Sequence, residues 1–176
     1  LQALRCGTVL ASNLAPQGRV SRMPLTDLIT PESVLPALKV NSKKQALQEL
    51  AERAAAVSGL PEREIFDAVL QRERLGSTGV GNGIAIPHAK LAKAKGIFGI
   101  FARLDRAIDY EAQDSAPVDL IFMLIAPESA GADHLKALAR IARVVRDPAF
   151  TAKLRATKDA SALHLLLTQT STSHAA

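Results

Sequence analysis

Apolar residues recur along the chain with two periods, and the breaks between them delimit the elements. Ser42-Lys-Lys-Gln45 has the Ser-x-x-Gln form of a capping box, and Leu47, Leu50, Ala54 and Val57 follow at helical spacing. A helix is therefore predicted over about 42–57, stopped by Ser58-Gly59. Pro61, Glu62 and Glu64 suit the first turn of a second helix with Ile65, Phe66, Val69 and Leu70 as its stripe, ending near Leu75-Gly76. A glycine-rich loop, Gly79-Val-Gly-Asn-Gly83, then leads into a very short apolar strand, Ile84-Ala-Ile-Pro-His88. Ile97 to Leu104 and Val118 to Ala126 have strand length and composition. The second, VDLIFMLIA, lacks polar alternation and is predicted to be a central strand buried on both faces. Asp133 is a candidate cap for a helix carrying Leu135, Leu138, Ala142 and Val145. Asp147-Pro148 starts a shorter helix to about Arg155, and Asp159 or Thr157 a last one through Leu167. Leu38-Lys-Val40 is a further strand candidate. Helices on both sides of a few hydrophobic strands predict an α/β fold: a three-layer sandwich with a central mixed sheet flanked by helices on both faces.

The length of 176 residues fits one domain, able to bury roughly 70% of its unfolded surface without staples. The lone Cys6 cannot pair within the chain, and cysteine zinc motifs are absent, which points to a reducing, cytoplasmic setting. No apolar run approaches the roughly 18 residues of a membrane helix, so membrane insertion is not expected. A net charge of +5 and a pI of about 9.7 raise nucleic acid as a partner. Three of those five charges, however, come from Arg5, Arg19 and Arg22 in an acid-free leader, and no aromatic-basic interleaving or helix-turn-helix pattern supports nucleic-acid binding. Met23-Pro24 reads like a natural start, so residues 1–22 are expected to be an extension, disordered or left from cloning. Residues 23–168 are expected to form the domain, and 169–176, with His174, a frayed tail.

The chemistry concentrates in Arg72-Glu-Arg-Leu-Gly-Ser-Thr-Gly-Val-Gly-Asn-Gly-Ile-Ala-Ile-Pro-His88. Glycines at 79, 81 and 83 let backbone N–H groups approach an anion, and the Ser77 and Thr78 hydroxyls add donors, so an anion near His88 is the first inference. The spacing is neither Gly-x-Gly-x-x-Gly nor a nucleotide P-loop. Gly76-Ser-Thr-Gly79 is not a nucleophile elbow, which removes a serine hydrolase. A His88/His134 metal pair lacks a third ligand, so no metal is expected. His164, set among leucines, reads as packing.

That stretch, in the form R-E-x-x-G-S-T-G-[IV]-G-x-G-I-A-I-P-H, resembles the active-site signature of enzyme IIA proteins of the bacterial phosphoenolpyruvate-dependent phosphotransferase system, in the fructose-mannitol and nitrogen-regulatory group. Ser42-Lys-Lys-Gln-Ala-Leu47, Pro117-Val-Asp-Leu120 and His134-Leu-Lys-Ala-Leu138 extend the resemblance over about Leu25 to Leu167. It implies that His88 is the phosphoryl acceptor, phosphorylated by an HPr-like phosphohistidine carrier, with His134 as phosphoryl stabiliser and Arg72 as electrostatic support. Ser77, Thr78, Gly79, Gly81 and Gly83 would form a phosphate loop, and no cofactor is needed because the donor already carries an activated phosphoramidate. Such chemistry is mainly positioning and electrostatic stabilisation. It calls for a neutral imidazole with one unprotonated nitrogen, which the resemblance implies is Nε2, with Nδ1–H anchored.

The motif is closer to the nitrogen branch, and the body is expected to stand without a following IIB or membrane IIC domain. The expectation is thus a regulatory rather than metabolic phosphotransferase component, whose targets would be kinases, transporters or transcription factors. The alternatives are a sugar-specific IIA passing phosphate to a IIB domain and a non-catalytic binding module. Docking a carrier protein calls for exposed apolar residues beside His88, and Val80, Leu91 and Phe98 are candidates.

Overall fold

The computed structural model describes residues 25–169. The expectations for the leader at 1–22, for His174 and for the rest of the tail beyond Gln169 fall outside them.

Six strands form one mixed sheet: β1 (Val34–Leu38), β2 (Gly79–Gly81), β3 (Ile84–Ala85), β4 (His88–Leu91), β5 (Phe98–Ile108) and β6 (Val118–Pro127). Their order is β1-β5-β6-β3-β2, and β4 pairs with β6 further along the edge that β3 occupies. β6 runs parallel to β3 and β4 and antiparallel to β5, while β1 is parallel to β5. The run without polar alternation is thus the central strand. Its faces divide by strand period: Ile121, Met123 and Ile125 enter one core with α1 (Lys43–Ser58) and α2 (Glu62–Arg74). Leu120, Phe122 and Leu124 enter the other, with α3 (Ala132–Val145), α4 (Pro148–Ala156) and α5 (Ala160–Thr168). Each face of the sheet buries one helical layer, which makes the predicted three-layer α/β sandwich.

The helix starts follow their caps. Ser42 accepts from the Gln45 amide, and the Gln45 side chain accepts in turn from the amide of Asn41, one residue before the cap. Asp147 and Asp159 cap α4 and α5. Asp133, by contrast, is no cap: α3 opens one residue earlier, behind Gly131, and Asp133 lies in its first turn, where a negative charge still favours the helix dipole. Other boundaries also differ from the sequence reading: the strand expected at 97–104 extends to Ile108, and Gly79–Gly81 of the expected loop is a short strand. The strand expected at 38–40 lies at Val34–Leu38, and the segment expected as a single strand ending at His88 is two, broken at Ile86-Pro87. Pro87 lacks a backbone N–H for a ladder, but its carbonyl still accepts from the Leu124 amide at 2.9 Å. This break resets the chain so that His88 begins a new strand opposite Leu124.

Candidate functional site

His88 opens β4, which among the described residues pairs only with β6. Ala89 and Leu91 belong to the core under α1 and α2, so strand alternation turns His88 and Lys90 to the opposite side. There the α3 N-terminus arrives directly from β6 through the short 3-10 turn Glu128–Ala130, placing His134 in the first turn of the helix. The two imidazoles meet with ring centroids 5.6 Å apart. From the other flank α2 contributes Ala68, Gln71, Arg72, Arg74 and Leu75, closing an open cleft of about 690 Å³ around both histidines.

Hydrogen bonding fixes the chemical form of His88. Its Nδ1 lies 2.8 Å from the Ile86 carbonyl oxygen, and because a carbonyl only accepts, Nδ1 carries the proton. Burial holds the ring's pKa below the ordinary histidine value, assisted by the Arg72 charge and opposed by the Ile86 bond and by Glu73. The result near neutral pH is an uncharged ring with its lone pair on Nε2, a nucleophile. His134 is 6% exposed, and its Nε2 is buried with no hydrogen-bond partner. Its pKa is lowered by burial and by the neighbouring His88 and Lys90. A buried polar atom left unpaired costs about 1–3 kcal/mol, and such an atom beside a nucleophile marks a place where another group is expected.

The cleft is cationic. Arg72, Arg74 and Lys90 line it and no acid does. Arg72 also donates from Nη1 to the Gly76 carbonyl at 3.0 Å, tying the end of α2 to the following turn. The structure thus brings together Arg72, His88 and His134. Arg74, Leu75 and Lys90 complete the surface without having been singled out from the sequence. Lys90 was legible as the residue two beyond His88 on one strand face.

The five residues expected to form a phosphate loop lie elsewhere: none of them lines the cleft. The Thr78 hydroxyl donates to Glu73, and its amide donates to Glu73 Oε1 at 2.9 Å. Ser77 Oγ donates to the Tyr110 carbonyl at 3.2 Å. Gly79 has no room for a side chain, since a Cβ would sit 2.6 Å from that of Ala112. Gly83, at φ +77°, would drive a Cβ to 2.7 Å from Arg155 Nη2 and 2.9 Å from Asp119 Oδ1. Gly81 faces Asp114, whose carboxylate accepts from the Asn82 amide. The glycines let a tight hairpin pack against the 109–117 segment and the Asp119–Arg155 ion pair. Of the apolar candidates, Val80 is exposed as expected but does not line the cleft, Leu91 is buried and Phe98 half-buried, whereas Leu75 is 85% and Leu135 66% exposed, the former in the cleft and the latter next to His134.

Residues 27–170 match the family described as phosphoenolpyruvate-dependent sugar phosphotransferase system, EIIA 2. The chain belongs to this EIIA-2 family. Among its EIIA-2 relatives, a nitrogen regulatory protein of Bradyrhizobium diazoefficiens is 64% identical over 145 residues, which cover 82% of this chain and 95% of that one. The nitrogen regulatory protein of Escherichia coli is 37% identical over 84% of this chain and 91% of its own. The crystal structure of nitrogen regulatory protein IIA-Ntr from Neisseria meningitidis superposes with a TM-score of 0.78 at 31% identity, covering 82% of this chain and 99% of that one. The mannitol IIA of Escherichia coli shares the fold at 20% identity, with a TM-score of 0.68 over 79% of this chain and 98% of that one. As an EIIA-2 chain the protein is a phosphotransferase-system component. Among the described residues no helix is long and apolar enough to cross a membrane.

Proposed function

We propose that the protein is a regulatory phosphocarrier that accepts a phosphoryl group on Nε2 of His88 from an HPr-like phosphohistidine protein and binds its targets according to that phosphorylation state. The observation that carries this reading is the pairing of a tautomer-locked His88 with a buried, unpartnered His134 Nε2 in a cationic cleft. In the transfer, the donor's P–N bond breaks and its electron pair stays with the donor imidazole. The lone pair on His88 Nε2 forms the new P–N bond, and Nδ1 keeps its proton against the Ile86 carbonyl. His134 meets the phosphoryl oxygens, Arg72 and the α3 N-terminus add positive potential, and the charge that develops is stabilised without metal. The exposed Leu75 and Leu135 give the donor protein an apolar footing beside the reacting atoms. The 64% identity to a nitrogen regulatory protein supports regulation over sugar transport.

The test is incubation with phosphoenolpyruvate, the first enzyme of the system and the HPr-like carrier. An acid-labile gain of one phosphoryl group is expected in wild type and not in His88→Ala. Label retained in the variant, or never gained by wild type, overturns the reading. Rapid loss of label to a IIB protein would move the chain to the sugar branch.

A further inference from the structure

Behind the cleft lies a buried charge network that the transfer itself does not touch. Glu73 is 5% exposed, in the last turn of α2. Its carboxylate receives the Lys43 ammonium at 2.8 Å, the Thr78 amide at 2.9 Å and the Thr78 hydroxyl, with the Tyr110 hydroxyl at 3.4 Å. Lys43 also sits 4.8 Å over the Tyr110 ring, and the Tyr110 and Thr78 hydroxyls are 3.1 Å apart. Burial pushes the Glu73 carboxyl up, but the bonds from Lys43 and Thr78 outweigh it and the group stays ionised. Burying an ion pair is a poor route to stability, because desolvation offsets most of the attraction and well-packed apolar residues often do as well. The geometry indicates what this pair does instead.

Thr78 is held on both sides. Its N–H and hydroxyl are fixed by Glu73, and its carbonyl accepts from the Ile86 amide at 2.9 Å. Ile86 in turn offers the carbonyl that takes the Nδ1 proton of His88 at 2.8 Å. A continuous series of hydrogen bonds therefore runs from Lys43 and Glu73 through Thr78 and Ile86 to the reacting ring. The nitrogen of a histidine that carries the proton is set by the bond the other nitrogen makes. We propose that Glu73, held by Lys43 and Tyr110, is a positioning residue: by locking Thr78 it fixes the Ile86 carbonyl that keeps the proton on Nδ1 and leaves Nε2 of His88 free. This rests on the phosphocarrier reading for its purpose, but not for its measurement.

The experiment is nitrogen-15 NMR of histidine-labelled, unphosphorylated protein at a pH where His88 is neutral, with the His88 signals assigned by their loss in His88→Ala. Wild type is expected to show the Nδ1–H tautomer. Glu73→Ala should populate both tautomers and slow phosphorylation about tenfold, the factor that one hydrogen bond's net worth sets. Glu73→Gln, whose amide oxygen still accepts from the Thr78 N–H, should restore the tautomer and most of the rate. It should also lower the pH at which His88 protonates, because a charge that favours the protonated ring is gone. Thr78→Val, which keeps the N–H and removes the hydroxyl, should shift the ratio in the direction of Glu73→Ala and serves if that variant does not fold. A wild-type tautomer ratio in folded Glu73→Ala or folded Thr78→Val overturns the proposal. The ratio is read without any donor, so failure of phosphoryl transfer in wild type would sink the phosphocarrier reading while leaving this result to be judged separately.

Discussion

The two ends of one signature segment solve opposite problems. At the Ser77 to Gly83 end polar groups are tied to protein partners: Thr78 on Glu73, Ser77 on Tyr110, the Asn82 backbone amide on Asp114, and the Asn82 carbonyl on Arg155, which is itself paired with Asp119. At the His88 end the ring is tied through one nitrogen only, and the neighbouring His134 keeps a buried nitrogen unpaired in a cleft lined by three cations. Gly79 and Gly83 sit so close to Ala112 and to the Asp119–Arg155 pair that a Cβ has no room. On the proposed reading the phosphoryl group meets the end where satisfaction is incomplete, and the satisfied end holds the other in place.

Substitutions at the two ends should therefore divide rate from stability. Short of removing the acceptor His88 itself, the largest effect is expected from His134→Leu: about a 100-fold loss in the rate of phosphoryl acceptance, about 2.7 kcal/mol of transition-state stabilisation. Its melting temperature should be unchanged or higher, since a buried unpaired nitrogen is removed. Parallel phosphorylation kinetics and calorimetry check both halves, and a large drop in melting temperature with the rate preserved would reverse the assignment. Gly83→Ala and Gly79→Ala should do the opposite. A Cβ at 83 meets the Arg155–Asp119 pair at unfavourable φ, and one at 79 meets Ala112, so each should cost about 1–3 kcal/mol in denaturant unfolding. The rate per folded molecule should hold. If the glycine turn contacted phosphate, these variants would lose rate out of proportion to stability.

The smallest effect is that of pH. Burial holds both His88 and His134 below the ordinary histidine value of about 6.5. As pH falls through that value the unfolded chain takes up protons before the folded one, so folding stability falls with pH in the window just below it and is unaffected by these two groups above it. Acceptance should be flat through neutrality and decline only on the acid side, as His88 protonates. Melting temperatures and initial rates across that range check the sign, and His134→Leu should show a shallower stability decline.

Much of this was legible because the elements obey simple periods. The unalternating run at 118–126 had to be a central strand, and Ser42, Asp147 and Asp159 announced three helix starts. Arg72, His88 and His134 were legible through resemblance, and the fold does bring them together. What could not be read was tertiary. Whether a glycine admits an anion or a neighbouring chain depends on what lies 3 Å away, and Ala112, Asp114 and Arg155 are distant in sequence. Glu73 did leave a trace, because it continues the Ile65 and Val69 stripe at helical spacing and so had to face inward, but only the fold supplies Lys43 and Tyr110 as its partners. Leu75 and Leu135 could not be recognised as exposed from their type alone.

The most direct test of the account is phosphorus and nitrogen-15 NMR of the phosphorylated, histidine-labelled protein. The Nδ1 bond to Ile86 requires the phosphorus to couple to Nε2 of His88 while Nδ1 still bears its proton. Phosphorus on Nδ1 of His88, or on a different residue, would contradict it.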